Sequence, residues 1–504
     1  MTARPAEVPA ESSAGVPAEA LTEVPAESSA GVPAEALTEV PAESSAEVPA
    51  EALTEVPAES SAEVPAEALT QVPAGAPADA SPDLWRGVPH RMSIGLRHQL
   101  RDDGSLPSEN LTCFLFAFPG VDIDVPRLEG ALARAVVLNP ALAHRYRVDP
   151  DHGPQYRETA WRPRVDLVEP VAADWESTRA TARRLADAEM TRPFDLRDGR
   201  LLRVTLVRHP GGEGCVLVVT ADHTVCDGIS YARFLDDLST AYRDGDTTGT
   251  DRARPRASLA RVAAAERRAL AGAARDELCD AWRRRLPDGI PDMVLARPLS
   301  WTECTREGEQ AATVLTGAAY ERHVRQAAEL AVSSFMLATA KLLHAMRPSV
   351  LGPGLSFFSP LPGRFVPAAR DVLGNFVSVL PVTVREPRSA DLTAMAEAVR
   401  ESVLWTLRHQ GVPFDVIRDA VGNGGAGNGE FAYERRSVFI SGNPVMRLEL
   451  EGVRGQLSVP TLSDAMFDLS LWISDTGDEL RCSGVFRKRL LDRSLVETWL
   501  AALG

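Results

Sequence analysis

His223, Asp227 and Gly228 are the residues whose types and spacing suit chemistry. The ordinary pKa of histidine lies nearest working pH, so a histidine can take a proton from an attacking amine or alcohol, or hold that nucleophile in place. Asp227 follows with a carboxylate. Gly228 adds a backbone N–H with no Cβ beside it, which lets a developing oxyanion approach closely. The same residues admit plainer readings. A turn histidine held by hydrogen bonds does no chemistry. His223 and Asp227 would give a metal two ligands, yet no His or Cys cluster of zinc-like spacing accompanies them. Cys226 sits inside the turn, but its neighbours Val225 and Asp227 bring no cation to activate a thiolate, so it reads as packing.

The flanking sequence says how these residues are mounted. The run 216–221, rich in β-branched residues, has the composition of a strand buried on both faces. After the Asp-Gly pair, Tyr231, Phe234, Leu235 and Leu238 recur with helical spacing. His223 therefore stands on a tight turn between a buried strand and a helix. A hairpin, 201–209 and 214–221 across Pro210–Glu213, delivers that strand. Upstream, 111–118 reads as a strand, 125–137 as an amphipathic helix with Pro126 in its first turn, 143–153 as the start of a hairpin, and 173–191 as a helix. Downstream, a helical stretch over 258–285 ends at Pro287-Asp288-Gly289 and connects to a second half. That half carries strands at 313–315, 374–382 and 438–440, helices at 321–346, 391–409 and 492–503, and a hairpin at 467–473 and 480–485. The glycine-rich 422–429 lacks the Lys-Ser/Thr ending of a phosphate loop and reads as a surface loop. Both halves mix helices with strands, so the expected fold is α/β in two lobes, 84–257 and 296–504, joined through 258–295.

The formal net charge is -16, unevenly spread. Residues 7–70 form four copies of a sixteen-residue unit holding fourteen glutamates and no basic residue. Removing these together with Arg4, Asp79 and Asp83 leaves 54 acidic and 53 basic residues from Leu84 onward, a net of -1. The folded part thus has no basic surplus to suggest nucleic acid. Each repeat has two prolines and no aromatic residue, too little apolar surface to offset chain entropy, so residues 1–83 read as a disordered acidic tail and linker rather than a solenoid. Six cysteines without a CxxC pair suggest reduced thiols. There is no secretory h-region and no apolar run long enough to span a membrane, so the expectation is a cytoplasmic protein.

In this order and spacing the segments resemble the condensation-domain branch of the CoA-dependent acyltransferase superfamily. That group includes nonribosomal peptide synthetase condensation domains, polyketide-associated acyltransferases, plant BAHD acyltransferases and chloramphenicol acetyltransferase. Asp222-His223-Thr224-Val225-Cys226-Asp227-Gly228 is similar to its His-His-x-x-x-Asp-Gly motif. Ala281–Leu286 looks like its interlobe helix end, and Gly363-Arg364 precedes Leu373–Pro381, which is similar to its Gly-x-Phe-Val-Asn-Thr-x-Pro strand. Gly411–Asp415 matches its Val-Pro-Phe-Glu segment, and Phe467-Asp468-Leu469 its C-terminal lobe. The resemblance covers about residues 84–504.

The resemblance implies two chloramphenicol-acetyltransferase-like lobes in a V-shaped pseudo-dimer, with a tunnel between them and His223 at its middle. It implies an acyltransferase whose donor is a phosphopantetheine thioester, on an acyl or peptidyl carrier protein or on CoA. The acceptor is a small amine or alcohol, and the product an amide or ester of secondary metabolism. It assigns chemistry to His223 and Gly228, a structural ion pair to Asp227 and Arg364, and the substrate tunnel to Asp222, Ser378 and Asn443. No bound cofactor, metal or membrane span is implied, and a monomer is expected. Three positions depart from the family pattern: Asp222 replaces its first histidine, Ser378 its usual asparagine and Thr383 a frequent arginine. These departures point to a free-standing member with its own donor or acceptor, and with no carrier-protein serine motif or adenylation motif present, the acyl group is expected to come from outside. The alternatives are a non-catalytic condensation-like domain that recruits a partner enzyme to a synthetase, and an acidic repeat that itself docks a synthetase.

Overall fold

Strands β1 (Leu111–Pro119), β2 (Val165–Val168), β3 (Leu202–Arg208) and β4 (Gly214–Asp222) build a sheet around the apolar run that ends at His223. The computed structural model describes residues 84–108, 110–170, 174–245, 258–290, 293, 295, 305–351, 354–385, 391–422, 438–460 and 464–504. The repeats, Cys304 and the glycine-rich loop beyond Gly422 lie outside the described residues. Every residue of β4 is buried. The cause is its central place: β1 and β3 pair with it antiparallel, Leu111 opposite Asp222 and Leu202 opposite Ala221. β2 extends the sheet parallel to β3. On one face, Leu217, Val219 and Ala221 join the main core under helices α1 (His90–Gln99), α2 (Val125–Leu138) and others. On the other, Val216 and Val218 meet Ala182 and Ala186 of α3 (Trp175–Glu189). A strand covered on both faces has no polar side to show, which is why its sequence does not alternate.

Side-chain caps fix where the helices start. The carboxylates of Asp124 and Asp174 accept from the N–H groups of Arg127 and Ser177, opening α2 and α3. Helix α4 (Gly228–Asp244) begins immediately after the turn, capped by Asp227. The helical stretch expected over 258–285 is two helices, α5 (Leu259–Ala269) and α6 (Ala273–Arg285). They part at Gly272, whose φ of 85° lies in the left-handed region.

Among the described residues the second lobe holds a six-stranded sheet. Its strands are β5 (Gly308–Thr316), β6 (Leu355–Leu361), β7 (Ser378–Val384), β8 (Val438–Gly442), β9 (Leu469–Asp475) and β10 (Glu479–Arg487), in spatial order β5-β10-β9-β8-β6-β7. The helix expected over 321–346 is again two, α7 (Gly317–Glu329) and α8 (Ser334–Met346). The chain turns at Ala331 with φ of 50°, and the Ser333 hydroxyl accepts from Met336 N to restart it. Helices α9 (Leu392–Arg408), α10 (Phe414–Val421) and α11 (Arg493–Ala501) complete the lobe. Met336, Leu342 and Leu343 of α8, Met395 and Val399 of α9 and Trp499 of α11 share one core with the sheet.

The lobes interleave. Val366, Ala369, Val372, Leu373 and Phe376, followed later by Met446, Leu448 and Leu450, belong to the core of the first lobe. A short strand, Gln456–Ser458, pairs with Ala117–Leu115 of β1 and becomes the edge of the first sheet. Two stretches from beyond residue 296 are thus built into the lobe that carries His223.

Candidate active site

The turn is held from both sides. At its start, Asp222 N donates to the Leu201 carbonyl at 3.1 Å and His223 N to the Asn110 carbonyl at 2.7 Å. The Asp222 carboxyl accepts from Thr224 N at 2.9 Å through Oδ1, while Oδ2 is buried without a partner. Burial pushes its pKa up to about 6, against hydrogen bonds with Ser108 and Thr224 that favour the charged form. Asp222 has 0% exposure. It is enclosed in the first lobe, where its carboxyl holds the turn through Thr224 N.

Asp227 is the junction between the lobes. Its exposure is 0%, and its carboxylate receives four N–H donors. Arg364 gives two, Nη1 to Oδ2 at 2.6 Å and Nη2 to Oδ1 at 3.1 Å. Ser230 N gives the third to Oδ1 at 2.8 Å, and Phe376 N the fourth to Oδ2 at 3.0 Å. Asp227 N in turn donates to the Gly374 carbonyl at 3.2 Å. Ser230 Oγ adds Gly374 N, the Gly374 carbonyl and Arg364 Nη2 to the same network, at 3.0, 2.8 and 2.8 Å. Arg364 also lies over the Phe376 ring, 4.6 Å from its centroid. A fork-shaped guanidinium on a buried carboxylate needs this many partners to offset desolvation. With its oxygens so engaged, Asp227 has nothing to share with a metal at His223. The strand expected from Gly374 begins instead at Ser378, because the backbone of residues 374–376 is spent on Asp227 and Ser230.

His223 is partly buried, and its carbonyl accepts from Asn375 Nδ2 at 2.7 Å. Its ring Nδ1 is buried without a hydrogen-bond partner; Nε2 is not so enclosed. Gly228 opens α4, and neither its N–H nor that of Ile229 has a partner among the described residues. These are the orphan donors at the positive end of the helix. Gly228 does not have a positive φ. A Cβ there would meet Pro444 Cγ at 3.4 Å, an ordinary contact, so the backbone does not demand glycine. Pro444 brings the segment after β8 against the turn, and Asn443 precedes it, with Oδ1 accepting from Ser441 Oγ at 2.9 Å. Ser378 stands opposite Leu361 at the start of β7, its hydroxyl buried and unpartnered. The Cys226 thiol is 1% exposed, and burial together with the Asp227 charge raises its pKa well above the usual range, which suits packing. Asn375, Ser230 and Pro444 were not singled out from the sequence. Asn375 occupies the unspecified position of the Gly-x-Phe segment, so only the fold shows its bond to His223.

Comparison with known proteins identifies the family and the fold. The condensation domain family matches residues 110–503. Phosphinothricin tripeptide synthetase PhsC of Streptomyces viridochromogenes is 29% identical over 311 residues, which is 60% of this chain and 28% of that protein. The chain thus spans under a third of that relative. The first condensation domain of the CDA synthetase superposes with a TM-score of 0.68 and 17% identity, over 84% of this chain and 97% of that one. The X-domain from teicoplanin biosynthesis, also solved as a complex with OxyB, superposes with a TM-score of 0.64 and 19% identity, over 83% and 93%. These likenesses fix the fold as a pair of chloramphenicol-acetyltransferase-like α/β lobes, and with a family match over most of its length, the chain belongs to the condensation domain family.

Proposed function

We propose that this chain is a condensation-type acyltransferase. It moves an acyl or aminoacyl group from a phosphopantetheine thioester, on a carrier protein or CoA, to an amine or hydroxyl acceptor, forming an amide or ester in secondary metabolism. The observation that supports this most is the mounting of His223: a strand end on one side, the Asp227–Arg364 junction on the other, and Asn375 on its carbonyl. A histidine kept only for packing needs no such anchoring from a second lobe.

The steps follow from these groups. The acceptor N–H or O–H hydrogen-bonds to His223 Nε2 and attacks the thioester carbonyl. As the C–N or C–O bond forms, the proton passes to Nε2. The carbonyl oxygen gains charge near the N-terminus of α4, where the Gly228 and Ile229 N–H groups are free to donate. Collapse breaks the C–S bond, and the leaving thiolate takes the proton from Nε2. Nδ1 has no acceptor to support a long-lived imidazolium. His223 therefore holds the nucleophile and relays its proton rather than storing a positive charge.

The test incubates the protein with a panel of acyl-CoA and acyl-carrier donors and amine or alcohol acceptors, with His223→Ala as the control. Product from the wild type and at least a hundredfold less from a folded His223→Ala supports the proposal. Equal inactivity of both, with each still binding a partner enzyme, would support the second reading, a domain that recruits such an enzyme. That reading draws on the X-domain likeness and on Asp222 in place of the first motif histidine.

A further inference from the structure

Three arginines converge on a pocket of the second lobe. The pocket has a volume of about 270 Å³ and is lined by Arg284 and Arg285 of α6, Arg385 just after β7, and Trp405 and His409 at the end of α9. Arg385 Nη2 donates to the Arg285 carbonyl at 2.7 Å, which sets two cations side by side. Arg285 is fixed by its Nη2 bonds to the Thr383 carbonyl at 3.0 Å and Ser402 Oγ at 3.3 Å. Among the described residues, the carboxylate that pairs with Arg285 is Glu401, 3.8 Å from Nη1 and largely exposed. Among the described residues Arg284 and Arg385 have no ion-pair partner. Burial, and then the Arg385 charge, lower the pKa of Arg285. The wall is aromatic: His409 stacks on Trp405 at 4.0 Å, and Trp282 meets Trp405 edge-on at 4.8 Å. His409 Nδ1 donates to the Trp405 carbonyl at 2.7 Å and Trp282 Nε1 to the His409 carbonyl at 3.0 Å.

Three enclosed guanidiniums elsewhere have their counter-charge. Arg364 has Asp227, Arg203 has Glu189, and Arg487 has Asp468. Here like charges are held together around a hollow with, among the described residues, one loosely placed carboxylate. Such an arrangement is stabilised by an anion that takes several N–H donors at once. Guanidinium forks match the oxygens of a phosphate bidentately.

We propose that this pocket binds a phosphate-class oxyanion, either free or as a phosphate ester. The site is independent of the chemistry at His223.

Isothermal titration of the full chain at low salt tests this, with inorganic pyrophosphate in one arm and ADP in the other. Saturable binding at one site per chain is expected. Arg284→Gln/Arg385→Gln is expected to weaken it at least tenfold while Arg325→Gln, which alters an exposed arginine of α7, leaves it unchanged. Arg284 makes no hydrogen bond or ion pair among the described residues, so Arg284→Gln alone tests the pocket with the fold intact and is expected to weaken binding at least threefold. ADP binding tenfold tighter than pyrophosphate assigns the ester; equal affinities assign the free anion. The proposal is overturned if neither anion gives saturable heat, if the Arg284 variants bind like the wild type, or if Arg325→Gln weakens binding as much as they do.

Discussion

Replacing Asp222 by asparagine is expected to stabilise the protein at neutral pH and leave it unchanged in acid. The carboxyl is fully enclosed, one oxygen lacks a partner, and burial raises its pKa from an ordinary 3.8 to about 6. Between about pH 4 and pH 6 the folded state holds this proton more tightly than the unfolded chain does. The stability that goes with the neutral acid is therefore present below pH 4 and lost as pH rises through about 6. Above that, the fold carries a buried charge. A shift of about two pKa units corresponds to about 3 kcal/mol. Asparagine keeps the shape, and its carbonyl can still accept from Thr224 N. Urea denaturation of both proteins at steps from pH 4 to pH 8 reads the difference. It is expected to grow from near zero to about 3 kcal/mol in favour of Asp222→Asn. Other carboxylates titrate in both proteins and cancel. A difference that stays flat across the range would refute the raised pKa of Asp222 in the fold.

Asp227→Ala strands Arg364 in a buried site and is expected to cost about 3–5 kcal/mol, read as a lowered urea midpoint. His223→Ala removes no side-chain hydrogen bond of the network and is expected to keep the wild-type midpoint while losing turnover, which separates it from Asp227→Ala in the same assay. Gly363→Ala places a Cβ into the Phe376 carbonyl on a backbone with φ of 64°, so it is expected to lower the melting temperature, at a cost of more than about 1 kcal/mol for the backbone alone. Gly228→Ala meets Pro444 only at ordinary contact distance and is expected to fold within about 1 kcal/mol of wild type, checked by the same denaturation.

The strand-to-helix turn could be read from the chain because its signals are local. A run of apolar residues, a histidine, an Asp-Gly pair and a helical stripe all lie within two dozen positions, and the structure builds β4 and α4 from them. Helix breaks were harder. Residues 321–346 look continuously helical, yet Ala331 takes a left-handed conformation and Ser333 caps a new helix; serine at that position was the available signal. Helix α1 and strand β6 escaped notice. Leu355–Leu361 contains Pro360, which argues against a strand, and it is placed by pairing with β7 and β8 rather than by its own pattern. The links to His223 from Asn375, and to Asp227 from the Phe376 backbone, depend on residues more than 140 positions apart, where local periodicity carries no information.

The short strand Gln456–Ser458 has a consequence for how the chain reaches this form. β1 pairs with β4 on one side, but its other edge takes a segment more than three hundred residues further along the chain. On a ribosome, the β1 edge along Leu115–Ala117 is thus left open until that segment emerges, an invitation to pair with another chain. The sheet that carries His223 is therefore complete only once residues 456–458 have joined it, however soon its other strands meet.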